Sequence, residues 1–194
     1  MDFISDSFPQ TRLHISLFKV REANQTEAGV TEFPDKLAET KTALASIQKK
    51  YQSATAFINA QFVISLTHLN IAIAKALINV RDKTMKSQSV ANEIVVMTSP
   101  SNSMANSFDK FGIRGIEGAF FVVFVDCHAS DIAQIKSEVA AHCLGEVADL
   151  NAHLDWQDSE GITKLFEIKE RERDLAMPNA LLTSLLTKVA LKGL

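Results

Sequence analysis

Seven apolar residues in a row, Ala119–Val125 (AFFVVFV), constrain the fold of this 194-residue chain more than any other segment. The run lacks the polar alternation of a strand that has one face in water. An unbroken apolar run of this length is typical of a central strand covered on both faces. It is also far shorter than the roughly 20 residues that a membrane-spanning helix needs. We therefore predict a sheet with other elements packed around it and no membrane segment.

Periodicity in the first half of the chain predicts the neighbouring elements. Alternation over residues 13–20 predicts a first strand, and helical spacing over residues 35–51 predicts a surface helix with a thin apolar face. Ser65 is the expected N-cap of a second helix, which carries His68 on its polar face. Residues 94–97 (IVVM) form a short apolar run that we interpret as a buried strand.

A short helix is expected after the polar loop 98–102. Ser103 is its predicted N-cap, and the spacing of Met104, Phe108 and Phe111 places them on its inner face. Gly112 is positioned to end this helix in the left-handed conformation.

Three further helices are predicted over residues 132–143, 160–168 and 178–191. The 46% hydrophobic content suffices for one core, and no Gly/Ser linker divides the chain. We therefore predict one α+β domain over residues 1–194. It has a small, mostly antiparallel sheet of three or four strands surrounded by five or six helices, and a terminal partner-binding helix.

The net charge of −3 is unevenly distributed along the chain. Residues 75–115 carry six basic and three acidic residues, whereas residues 116–174 carry five basic and thirteen acidic ones. The total argues against a protein that binds polyanions over its whole surface. The positive block remains compatible with local contact to nucleic acid, although solvated helix faces of an ordinary domain produce the same asymmetry.

Two segments have chemistry suited to binding. The loop 98–103 (TSPSNS) precedes a helix N-terminus, so its hydroxyls and backbone N–H groups either bind a phosphate or cap the helix and turn. The last helix carries a wide leucine stripe with no acidic residue, which either docks a partner or is buried in the protein's own core.

Catalytic motifs such as a Gly-rich phosphate loop or an HExxH pair are absent from the sequence. Cys127, His128, His142 and Cys143 are the one set that could hold zinc, but two adjacent pairs lack the spacing of zinc knuckles. We interpret both cysteines as small buried residues and the histidines as surface residues. A metal-dependent or thiol enzyme built on these four is the alternative. Two cysteines do not form a disulfide framework, so we expect an intracellular protein.

Residues 98–113 (TSPSNSMANSFDKFGI) resemble the signature segment of the kinase-binding subunit of the KEOPS/EKC complex, the PRPK-binding protein family. The shared pattern is Ser-Pro, two polar residues, a capping residue, an apolar residue and a helix that ends Lys-Phe-Gly-Ile. Other segments agree in the same order, so the resemblance covers nearly the whole chain. They are residues 13–19, 57–76, 85–87 (MKS), 162–166 (ITKLF) and 192–194 (KGL).

The resemblance implies a non-catalytic subunit, without cofactor or metal, that binds the complex's small atypical kinase/ATPase. Through this kinase it would meet the other KEOPS subunits indirectly. It also implies help in recruiting tRNA by the 3′ CCA end. The complex installs threonylcarbamoyl on the adenosine beside the anticodon (t6A), and fungal members are linked to telomere maintenance. The expected location is the nucleus and cytoplasm.

The family's sites can be transferred to individual residues. The resemblance implies that the terminal helix contacts the kinase through Leu182, Leu185, Leu186 and Val189. Within the matched central block, charge and loop chemistry lead us to assign RNA contact to Lys83, Lys86, Ser101, Asn102, Lys110 and Ile113.

One residue and one segment depart from the family pattern. Gln88 stands where relatives usually have Arg, which removes one basic contact, and residues 24–53 form a longer segment than in relatives.

The alternative function is a kinase-binding scaffold without RNA contact.

Overall fold

A computed structural model describes residues 8–20, 33–51, 55–168 and 180–191. Its strands form one antiparallel sheet in the order β2-β3-β1-β4, in which β3 pairs with both β1 and β2. The strands are β1 (Leu13–Lys19), β2 (Thr55–Asn59), β3 (Ala119–Val125) and β4 (Gly145–Val147). The predicted α+β class with a small antiparallel sheet is confirmed.

Seven α-helices surround this sheet within the described residues. They are α1 (Phe33–Lys50), α2 (Leu66–Arg81), α3 (Val90–Thr98), α4 (Met104–Phe111), α5 (Ala129–Ala141), α6 (Ser159–Leu165) and α7 (Ala180–Leu191). Three short 3-10 turns, Ala60–Phe62, Ile113–Gly115 and Leu150–Trp156, link them. Among the described helices, none is both long and apolar enough to cross a membrane. The predicted start of the last helix, at residue 178, lies outside the described residues.

The two faces of β3 belong to two separate apolar clusters. Phe121 and Val123 face the larger cluster, which includes buried residues of α2, α3 and α7. Phe120, Val122 and Phe124 face the smaller cluster, which is closed by α1 and α5. All seven residues of β3 are buried, so the prediction of a central strand covered on both faces is confirmed.

The interpretation of residues 94–97 as a strand is wrong, because they lie inside helix α3. Ser89 caps this helix by accepting a hydrogen bond from the N–H of Asn92 at 3.2 Å. The helix packs between α2, α4 and the sheet, so nearly all its residues are buried. A short run that is apolar on every side gives no periodicity, and length alone favoured a strand.

The ends of α4 correct two further expectations. Ser103 is the N-cap, as predicted, and Phe111 is fully buried. Met104, however, is 38% exposed, so it does not lie on the inner face. Gly112 has φ −85°, which is not left-handed. Glycine is needed there because a Cβ atom would lie 2.7 Å from the Phe108 carbonyl oxygen.

Helix α1 is held by polar contacts as well as by its thin apolar face. Leu44 is fully buried on that face. At the C-terminal end, Lys50 Nζ and Tyr51 Oη both donate to Oε1 of Glu138 on α5, at 2.7 and 2.9 Å. Thr40 Oγ1 donates to the carbonyl oxygen of His142 at 3.2 Å, just after α5. These contacts attach α1 to one end of α5.

Asn59 joins the end of β2 to the segment that follows α4. Its side chain is fully buried, and its Nδ2 donates to the carbonyl oxygens of Lys110 at 3.0 Å and Gly115 at 2.7 Å. Its Oδ1 accepts from the N–H of Gln61 at 3.1 Å. One side chain therefore satisfies three backbone groups and fixes where α4 ends against the sheet.

We expect Asn59→Ala to lower the free energy of unfolding by roughly 3 kcal/mol, because it leaves two carbonyl oxygens and an N–H without this partner. Urea denaturation followed by circular dichroism would measure the change. Asn102→Ala, at an exposed asparagine, is the matched control and should change stability by less than about 0.5 kcal/mol. Equal stability of the two variants would contradict the bridging role.

Candidate functional site

Lys83 and Lys86 lie in the exposed loop between α2 and α3. At the end of α2 the N–H of Thr84 donates to the carbonyl oxygen of Asn79 at 2.8 Å. The N–H of Lys83 donates to the carbonyl oxygen of Val80 at 3.2 Å. This double hydrogen bond is a Schellman cap. It places Lys83 in the left-handed region, with φ 59°. Glycine is usual at that position because a Cβ atom there costs about 1 kcal/mol.

The serine-rich loop before α4 uses its hydroxyls internally. The N–H of Ser101 donates to Ser99 Oγ and that of Ser103 to Ser101 Oγ, both at 3.1 Å. The N–H of Asn106 donates to Ser103 Oγ at 3.4 Å. Three N–H groups that could have faced a phosphate are thus already paired. The structure favours the capping interpretation of this loop, and Asn102 is exposed within it.

Four of the six predicted RNA-contacting residues divide into two groups around α3. Lys83 and Lys86 precede the N-terminus of α3, whereas Ser101 and Asn102 follow its C-terminus. The nine residues of α3 span about 14 Å at 1.5 Å per residue. The two groups therefore occupy opposite ends of one buried helix.

Ser101 and Lys110 share a cleft of about 620 Å³ beside α7. The wall on the α7 side includes Lys188, whose Nζ donates to the carbonyl oxygens of Phe166 and Glu167, each at 3.0 Å. Acidic residues also line the cleft, so its charge is mixed. The lining residues are Pro100, Ser101, Asn106, Asp109, Lys110, Leu165, Phe166, Glu167 and Lys188.

Ile113 lies in a second groove, of about 520 Å³, between α1 and α4. Lys41 and Arg114 are also in this groove, and Lys41 Nζ donates to the Arg114 carbonyl oxygen at 2.8 Å. Arg114 pairs with Asp109 at 3.1 Å, an exposed contact that contributes little to stability. The sequence prediction missed Lys41 as a neighbour of Ile113, because the two are remote in the chain and meet only through the packing of α1.

Helix α7 packs on α2 through Val189, which is fully buried in the larger apolar cluster. Lys75 Nζ, from α2, donates to the carbonyl oxygen of Ala190 at 2.7 Å, in the last turn of α7. Val189 is therefore an anchor of the helix within this chain and not part of its outer surface. Leu186 is half-buried. The side chains of Leu182 and Leu185 lie outside the described residues.

The two Cys-His pairs do not form a common site. Cys127 and His128 precede α5, whereas His142 and Cys143 follow it. The helix has 13 residues and is about 20 Å long, so one ion cannot reach both pairs. Both cysteines are buried, as interpreted from the sequence. The alternative hypothesis of a metal site built on all four residues is therefore wrong.

His68 is not on a polar face but is fully buried, contrary to the expectation. Its Nδ1 accepts from the N–H of Ile64 at 3.2 Å, so the proton is assigned to Nε2, which donates to the Thr98 carbonyl oxygen at 2.9 Å. Burial lowers the pKa of His68 to about 4, chiefly because the charged ring would lose its hydration. His153 is also buried, and burial lowers its pKa as well.

We expect this histidine to make the protein less stable in mild acid. Between pH 6.5 and about 4 the unfolded chain binds a proton at His68 that the folded protein excludes. The free energy of unfolding therefore decreases as the pH is lowered, by roughly 3 kcal/mol over that range. His68→Gln, which can keep both hydrogen bonds, should flatten the dependence measured by urea denaturation between pH 6.5 and 4.5. The exposed His14→Gln is the control, and identical slopes in the two variants would contradict the assignment.

Comparison with known proteins identifies one matching family and several relatives of this chain. A family model described as "Kinase binding protein CGI-121" matches residues 32–193. The chain is similar to the "EKC/KEOPS complex subunit cgi121" of Aspergillus terreus, with 31% identity over 64% of this chain and 63% of the relative. For the protein of the same name from Aspergillus fumigatus the identity is 33%, over 50% and 57%. The aligned region thus spans less than two thirds of both relatives. The "EKC/KEOPS complex subunit TPRKB" of Danio rerio is 25% identical over 75% of this chain and 82% of the relative.

Proposed function

Because the chain belongs to the CGI-121 family of kinase binding proteins, we propose that it is a non-catalytic subunit of an EKC/KEOPS complex. The match of the family model over residues 32–193 carries this proposal. In this role the protein binds the small atypical kinase/ATPase of the complex and helps to recruit tRNA by its 3′ CCA end for t6A modification. A link to telomere maintenance and a location in the nucleus and cytoplasm belong to the same proposal.

Helix α7 is the proposed kinase-binding element. Its anchor, Val189, and the hydrogen bond from Lys75 to its last turn hold the helix against α2. A pre-positioned helix loses less entropy on association than a free segment does. Leu182, Leu185 and Leu186 remain the proposed contacts with the kinase.

The proposed RNA surface combines the Lys83 and Lys86 loop with the cleft at Ser101 and Lys110. Asn102 is exposed in the serine-rich loop next to Ser101, whereas Ile113 lies in the second groove, between α1 and α4. Lys83 has a left-handed backbone conformation that glycine would relieve, and its side chain is exposed in this loop. The cleft also reaches α7 through Lys188, so RNA and kinase would bind on adjacent surfaces.

The alternative is a kinase-binding scaffold without RNA contact. The mixed charge of the cleft favours it, because Asp109 and Glu167 line the cleft together with Lys110 and would repel a phosphate. Titration with tRNA separates the two functions, since only the first predicts salt-dependent binding.

For RNA binding, we expect Lys83→Gly to raise the free energy of unfolding by about 1 kcal/mol while weakening tRNA binding. Glycine removes the strain at φ 59°, and the lost ammonium removes a phosphate contact. Filter binding over a range of salt concentrations and urea denaturation would measure the two effects.

Glu167→Gly is the matched control for Lys83→Gly. Glu167 occupies a second left-handed position, with φ 51°, after α6. This substitution should also stabilise the protein, but because it removes an acidic side chain from the cleft it should strengthen tRNA binding rather than weaken it. Unchanged tRNA affinity in Lys83→Gly would exclude Lys83 from the interface.

For kinase binding, we expect Leu185→Arg to abolish co-purification with the kinase, because a charge would enter an apolar interface. Thr183→Arg is the control on the exposed face of α7. It should leave co-purification intact, and circular dichroism should show both variants folded. Retained binding by Leu185→Arg, or loss with Thr183→Arg alone, would contradict the assignment of the leucine face.

A further inference from the structure

We propose that Glu93 is the positioning residue that holds Lys86 in the orientation in which it contacts RNA. The inference rests on the proposed tRNA binding and adds a buried residue to it. Glu93 lies in the first turn of α3, among apolar residues, and its side chain is fully buried.

Both carboxyl oxygens of Glu93 accept hydrogen bonds. Oε2 accepts from the backbone N–H groups of Lys86 at 3.0 Å and Ser87 at 2.9 Å. Oε1 accepts from Asn79 Nδ2, on α2, at 2.7 Å. Glu93 therefore connects the backbone of the loop to the side chain of Asn79 near the end of α2.

The packing of α3 does not by itself require a polar residue at this position. Ala91, Ile94 and Val95 are buried next to Glu93 in the sequence of the helix, and an apolar side chain would pack there without losing hydration. A buried carboxyl group is tolerated only when its oxygens find donors, and two of the three donors belong to the loop. The hydrogen bonds to the loop N–H groups thus explain why residue 93 is a glutamate.

The loop segment that Glu93 holds carries an exposed cation. The side chain of Lys86 is exposed, while its backbone N–H donates to Glu93. A loop that is already fixed at its backbone loses less conformational entropy when Lys86 contacts a phosphate than an unrestrained loop would.

The test is a double-mutant cycle in the full-length protein, measured as tRNA affinity by filter binding at several salt concentrations. Lys86→Met should weaken binding about fivefold and reduce the salt slope by roughly one. Glu93→Met keeps the volume of the side chain and removes its oxygens, and we expect it to cause a similar loss. The double variant should bind no more weakly than Lys86→Met, because both substitutions remove the same contact.

Several controls separate positioning from a general loss of structure. Glu93→Met should still co-purify with the kinase through α7, while hydrogen exchange at residues 84–88 rises. Glu93→Gln keeps one of the two oxygens and should give an intermediate loss of tRNA binding, which tests the inference even where Glu93→Met does not fold. Unaltered tRNA affinity in Glu93→Met, or additive losses in the double variant, would overturn the positioning role of Glu93 and leave the proposed RNA contact of Lys86 in place. No effect of Lys86→Met would overturn it together with the proposed role of Lys86 in RNA binding.

Discussion

Burial of β3 on both faces is the constraint on which the rest of the fold depends. Seven consecutive apolar residues cannot leave either face of the sheet in water, so helices must cover both. α1 and α5 close one face, while α2, α3 and α7 close the other. The proposed RNA contacts Lys83, Lys86, Ser101 and Asn102 lie in loops where the chain leaves these covering helices, whereas the proposed kinase contacts lie on α7 itself.

Helix α3 connects these surfaces. At its N-terminal end Glu93 holds the backbone of the Lys86 loop. At its C-terminal end the Thr98 carbonyl accepts from buried His68, just before the serine loop. A single buried helix thus determines the positions of both groups of proposed RNA contacts, and its own position depends on packing against α2 and the sheet.

Much of this architecture could be predicted from residue patterns. Alternation marked β1, the apolar run marked β3, and the caps Ser65 and Ser103 marked two helix starts, because these signals depend on local geometry. The prediction failed at residues 94–97, where burial on every side removed the period that distinguishes a helix from a strand. The partner-facing role expected of Val189 also changed, since a leucine-rich stripe does not reveal which side of the helix meets its own core.

The amino-acid sequence by itself determined the class of fold, the family and the segments that carry its motif, since these depend on order and composition along the chain. Only the tertiary structure decided which of those residues meet. It buried His68 and Glu93, separated the two Cys-His pairs across α5, brought Lys41 beside Ile113, and paired the serine-loop N–H groups internally. Burial and hydrogen-bond partners across the fold involve residues remote in the chain, and no local pattern encodes them.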